Sequence, residues 1–157
     1  MIENNLTRAL RDFLTDRLKD MRLPTKKGGL RPPMIFNGFL PPKKEMPDDD
    51  FPYVIVRLDK GTVEQSVRRI AVSIIVGCYD LQFDGYESCV NVATRIINEL
   101  TTCLNQTLDE KFMLTLPITW NVPAEQPYPQ WELVIQAEWT TRTPDIQFKL
   151  EGGLYGD

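Results

Sequence analysis

Three adjacent carboxylates, Asp48, Asp49 and Asp50, form the densest acidic run in the chain. Such a run is raw material for a magnesium site and phosphoryl chemistry. Successive residues of an extended chain point to alternate sides, however, so the three cannot face one ion. The run reads as a solvated loop. The rest of the catalytic inventory is thin. The chain has no histidine, the usual general base near neutral pH and the commonest metal ligand. Its three cysteines, Cys78, Cys89 and Cys103, are odd in number and form no CxxC pair. They read as buried thiols of a reducing compartment, not as zinc ligands. Lys26-Lys27-Gly28-Gly29 has neither the preceding strand nor the helix start that a phosphate loop requires. No GxSxG elbow or EF-hand pattern occurs. The expectation is a protein without catalytic residues, metal or cofactor. An enzyme would need carboxylates distant in sequence to converge in a pocket.

Binding chemistry is better represented. Lys26, Lys27, Arg31, Lys43 and Lys44 face only Glu45 before the aspartates begin. Among them lie the apolar Met34, Ile35, Phe36, Phe39 and Leu40. These ten residues are the candidate partner-binding set, with an acidic protein as the favoured partner. DNA is the weaker reading of the same charge, and such a contact would fade as salt rises. A solubilising surface loop is the plain alternative for the lysines. The segment from Pro24 to Asp50 carries six prolines and three glycines, and neither helical nor alternating periodicity survives in it. Prolines keep such a chain extended without internal hydrogen bonds. An apolar cluster within it needs a surface to dock on, either a neighbouring copy or the chain's own domain.

The elements around this arm are more regular. Ile2, Leu6, Ala9, Leu10, Phe13, Leu14, Leu18 and Met21 trace one face of a helix that Pro24 ends. Tyr53–Leu58 and Val67–Tyr79 read as a strand hairpin, the second alternating through Ile70, Val72, Ile74, Val76 and Cys78. Asp84 stands where a cap would open a second helix, whose stripe runs from Tyr86 through Cys89, Ala93, Ile96 and Leu100 to Leu104. Phe112–Trp120 and Trp131–Thr141 alternate again, around a proline-rich stretch from Asn121 to Gln130. That alternation assigns Trp120, Trp131 and Trp139 to the core. The predicted architecture is α+β, with about four mainly antiparallel strands, two helices on one face and a long arm over 24–50. A single domain spans residues 1–143, and a tail follows over 144–157.

The bulk numbers bound the function. A length of 157 residues suits one domain with a real core. A net charge of −4 counts against gripping nucleic acid as the main task. No apolar run approaches the roughly 18–20 residues of a membrane helix. Met1-Ile2-Glu3-Asn4-Asn5 lacks the basic opening of a secretory signal, so the expectation is the cytoplasm of the cell that makes the protein.

Over Phe51 to Thr141 the sequence resembles a family of phage tail-completion proteins. Phe51-Pro52-Tyr53-Val54-Ile55-Val56-Arg57 carries the first part of the likeness. Val76-Gly77-Cys78-Tyr79-Asp80, Gly85-Tyr86 and Asn98-Glu99-Leu100 carry the second. Leu116-Pro117-Ile118-Thr119-Trp120 with Glu125-Gln126-Pro127-Tyr128-Pro129-Gln130-Trp131 carries the third. The resemblance implies a tail terminator, a hexameric ring on the end of the tail tube that stops tube growth. Its partners would be other copies of itself, the tail tube protein, head-completion or connector proteins of the neck, and the tail sheath where there is one. DNA would pass through the lumen without specific binding. The protein would occupy the host cytoplasm during assembly and then the virion tail or neck. A head-closure or connector adaptor is the alternative from the same neck. A small cytoplasmic enzyme and a monomeric protein-binding module are the readings from other classes.

Overall fold

Helical spacing in the first segment is realised as α1 (Ile2–Arg17), whose Leu6, Leu10 and Leu14 are fully buried one turn apart. This computed structural model describes residues 2–40, 50–102 and 107–142. The chain continues through β1 (Leu23–Pro24), β2 (Leu30–Arg31), β3 (Met34–Asn37), β4 (Tyr53–Val63) and β5 (Val67–Tyr79). It then forms α2 (Tyr86–Thr102), β6 (Met113–Asn121) and β7 (Gln130–Arg142). Five strands make one sheet in the order β3-β4-β5-β7-β6, and β1 and β2 pair separately as a small hairpin.

Period-two alternation decides which side of the sheet is dry. Val54 and Val56 of β4, Ile70, Val72, Ile74 and Val76 of β5, and Leu133, Ile135 and Trp139 of β7 join one core. The buried stripes of both helices enter the same core through Leu6, Leu10 and Leu14 and through Val92, Ile96 and Leu100. The two helices therefore lie on one face, as the sequence predicts. Each of these aliphatic side chains contributes roughly 1.5–3 kcal/mol on burial. An ion pair at 2.7 Å between Arg68 and Glu3 ties the start of α1 to the start of β5.

The sheet departs from the expectation in two respects. It has five strands, not about four, and it is mixed, because β3 runs parallel to β4 with Met34 opposite Tyr53 and Asn37 opposite Val56. The extra strand comes out of the proline-rich arm. Without it, the first four residues of β4 would present an open edge. Alternation then divides the arm's apolar residues between the two faces of the sheet. Ile35 packs against the main core, while Phe36 and Leu40 pack against a second cluster of Phe51, Tyr53, Ile55 and Ile75 on the opposite face. Residues 24–40 are thus largely part of their own domain. No described helix is long and apolar enough to cross a membrane.

Candidate functional site

One end of the sheet gathers the ends of β5 and β6, the starts of β4, β7 and α2, and the loop from Asp80 to Gly85. Register brings Tyr53 opposite Gly77, Gly77 opposite Glu132, and Cys78 opposite Trp131. A Cβ on Gly77 would overlap the Tyr53 ring, so glycine is required there for close packing and not for a turn. Burial drives the Tyr53 hydroxyl pKa upward, with the Glu132 and Asp50 carboxylates adding to the effect.

Asp80 is the hub of this end. Its carbonyl accepts from the Trp131 indole Nε1–H at 2.8 Å, and its amide donates to the Pro129 carbonyl at 3.0 Å. Its carboxylate accepts from the Gln82 amide at 2.9 Å and from the Ser88 hydroxyl at 3.0 Å. The last contact clamps the first turn of α2 to the end of β5. Gly85 lies beneath the Trp131 indole, where a Cβ would collide with Nε1. Cys89, the residue after Ser88 in α2, directs its thiol toward the Trp131 carbonyl at 3.2 Å. Its neighbour Cys78 has its pKa pushed upward by a hydrogen bond with Cys89 and by burial, which keeps it a thiol. Gln126 closes the proline-rich loop by donating to the Pro123 and Glu132 carbonyls while accepting from the Glu132 amide at 2.7 Å.

The outer surface of this scaffold is aromatic. Phe83 stacks on Tyr128 at 5.6 Å between centroids, Tyr128 meets Trp131 edge-on at 5.9 Å, and Tyr86 approaches Trp131 at 6.4 Å. The Tyr128 hydroxyl donates to the Leu81 carbonyl at 2.6 Å. Phe83 is nonetheless 88% exposed, Leu81 62%, Tyr128 49% and Tyr86 41%. Rigid aromatic side chains held by neighbours but open to water are the usual anchors of protein interfaces. Among the described residues no three His, Cys, Asp or Glu converge on a metal-binding geometry.

The residues picked out by sequence are distributed differently. Lys26 and Lys27 are exposed in the turn between β1 and β2, and Arg31 is half-buried at the end of β2. Met34, Ile35, Phe36 and Leu40 are half-buried in their own domain, one of the two docking surfaces the sequence leaves open. Phe39 alone of the apolar five is exposed, at 71%, with the Arg57 guanidinium 4.3 Å above its ring. Lys43, Lys44, Asp48, Asp49 and Cys103 lie outside the described residues. Trp131 and Trp139 are buried as their spacing predicts, but Trp120 is 53% exposed because it sits on β6, the edge of the sheet. The aromatic end is not legible as a surface in the sequence, because Phe83 and Tyr86 lie more than 40 positions from Tyr128 and Trp131.

No family model matches the chain, and no curated protein matches it. Fold and site define it at the level of class: a two-layer α+β domain with an exposed aromatic cluster at one end of its sheet.

Trp131→Phe tests the scaffold. The smaller ring keeps much of the burial but loses the bond to the Asp80 carbonyl, leaving that acceptor unpaired. The expected loss is about 1–2 kcal/mol, a fall in Tm of about 2–8 °C by calorimetry. An unchanged Tm would show that the Asp80–Trp131 link does not hold this end together.

Proposed function

We propose that this protein is a tail terminator of a long-tailed phage or phage-like particle, a ring of identical subunits that caps the tail tube and receives the head. The observation that carries this reading is the convergence of its family-like stretches. Phe51–Arg57, Val76–Asp80 with Gly85–Tyr86, and Leu116–Trp120 with Glu125–Trp131 supply Gly77 under Tyr53, Asp80 bound to Trp131, and Tyr128 set edge-on against Trp131. Residues that carry the likeness thus build and display a contact surface, which suits a protein whose work is steric and interfacial.

A ring also gives a use to the edge strand. Among the described residues β6 is paired on one side only, and it exposes Met113, Leu116 and Trp120. Uncharged open edges invite pairing with other chains unless they are covered, and cyclic assembly covers such surfaces in repeated head-to-tail contacts.

Electron microscopy of particles assembled with and without the protein tests the proposal. Overlong tails lacking heads are expected in its absence. Tails of normal length that fail to join heads would replace the terminator by a head-closure adaptor, and unchanged particles would overturn both.

A further inference from the structure

Charge is segregated along this chain. From Met21 to Leu40 the charged residues are Arg22, Lys26, Lys27 and Arg31, with no acid among them. From Asp80 to Thr94 and from Phe112 to Thr141 they are Asp80, Asp84, Glu87, Glu125, Glu132 and Glu138, with no base among them. The two acidic stretches are the ones that build the aromatic end. Asp84, Glu87 and Glu125 are exposed there alongside Phe83 and Tyr128. The basic stretch includes the β1–β2 hairpin, whose tip exposes Lys26 and Lys27 and whose Leu30 is 64% exposed.

We propose that the basic hairpin of one copy docks on the acid-rimmed aromatic end of a second copy. The proposal rests on the ring reading and names its subunit contact. Charge complementarity selects this occupant: two aromatic ends meeting face to face would set acid against acid, which is repulsive. The hairpin brings the opposite sign together with an apolar side chain for the aromatic surface. Lysine ammonium groups are also attracted to aromatic faces. Within one subunit the hairpin borders Tyr79, Asp80, Leu81 and Gln82 but leaves Phe83 88% exposed, so it does not cover its own patch. The contact joins two different surfaces. Repeated head to tail it closes into a ring when the rotation allows, and made reciprocally it gives a two-fold pair.

The test is self-association of the full chain by sedimentation velocity at low and high salt, with folding checked by circular dichroism. Wild type is expected to associate, and more weakly as salt rises. Lys26→Glu with Lys27→Glu, or separately Asp84→Lys with Glu125→Lys, should each weaken association at least tenfold. The four changes combined in one chain should restore it, because the charges are exchanged and remain complementary. Phe83→Ala removes an exposed side chain without touching the core and should also weaken association at least tenfold. Association that survives every variant, or is not restored by the combined exchange, would overturn the proposed contact. A wild-type chain that stays monomeric at the highest attainable concentration would overturn it as well. Either result leaves the terminator reading to be decided separately by tail length in the microscope.

Discussion

Gly77→Ala is expected to destabilise the domain by about 1–2 kcal/mol, although alanine ordinarily favours a strand over glycine. Two effects of opposite sign compete. Removing a glycine lowers the entropy of the unfolded chain and stabilises by roughly 0.4–1 kcal/mol where the backbone tolerates a side chain. Against that, the new Cβ overlaps the Tyr53 ring, which is only 8% exposed and is hemmed in by Phe51 at 5.2 Å. Overpacking a buried site costs about 1–3 kcal/mol, and more where the obstructing group is a rigid ring. The clash wins. Urea unfolding should show a lower midpoint with an unchanged slope, the sign of altered stability without altered denatured-state compactness. A midpoint equal to or above wild type would mean that Tyr53 swings clear at no cost, and the tight Tyr53–Gly77 pairing would lose its structural importance. Gly77→Ala combined with Tyr53→Ala should recover part of the loss, since the clash then has no partner.

The largest single loss is expected at Trp139. It is 2% exposed, pairs across the sheet with Ile70 on one side and Leu114 on the other, and belongs to the core shared by both helices. Trp139→Ala removes most of a large buried side chain and leaves a cavity that strands on both sides cannot close. Such truncations cost about 3–5 kcal/mol, a large part of the 5–15 kcal/mol total stability of a typical domain. The control is Trp120→Ala, the same change at a position that is 53% exposed on the sheet edge. It should cost less than about 1 kcal/mol. Thermal unfolding of the two variants side by side separates core from surface, and equal losses would contradict the placement of Trp120 at the edge.

Those two tryptophans also show where sequence patterning reaches its limit. Both occupy positions in an alternating run and read alike. Trp139 lies on β7, flanked by β5 and β6, whereas among the described residues β6 has a neighbour on one side only. Strand order decides which alternating residue is enclosed, and no local pattern encodes it. Within β6 the register also slips between Thr115 and Thr119, a span that includes Pro117, which has no N–H to give the ladder. Proline on an edge strand was visible in the sequence; that this strand was the edge was not.

The arm repeats the lesson. Its prolines and lost periodicity were legible, and so was the need of Met34–Leu40 for a docking surface. Met34-Ile35-Phe36-Asn37 is three apolar residues and a polar one, with no alternation to declare a strand. Met34–Asn37 becomes one because the first four residues of β4 offer it a parallel ladder. The aromatic end was harder still. Phe83, Tyr86, Tyr128 and Trp131 come from two segments more than 40 positions apart, and their stacking depends on Asp80 binding Trp131 and on Gly85 leaving room for the indole.

Periodicity is a steric property of a few successive residues, and so the sequence by itself determined the two helices, the long strands, their buried faces and the α+β class. The same holds for the missing histidine and the segregation of charge, which are matters of composition. Tertiary structure alone decided the fifth strand, the exposure of Trp120 and the assembly of the aromatic surface. Each of these depends on which distant segment closes onto which. That choice is set by packing and hydrogen bonding summed over the whole domain, and no short stretch of chain carries it.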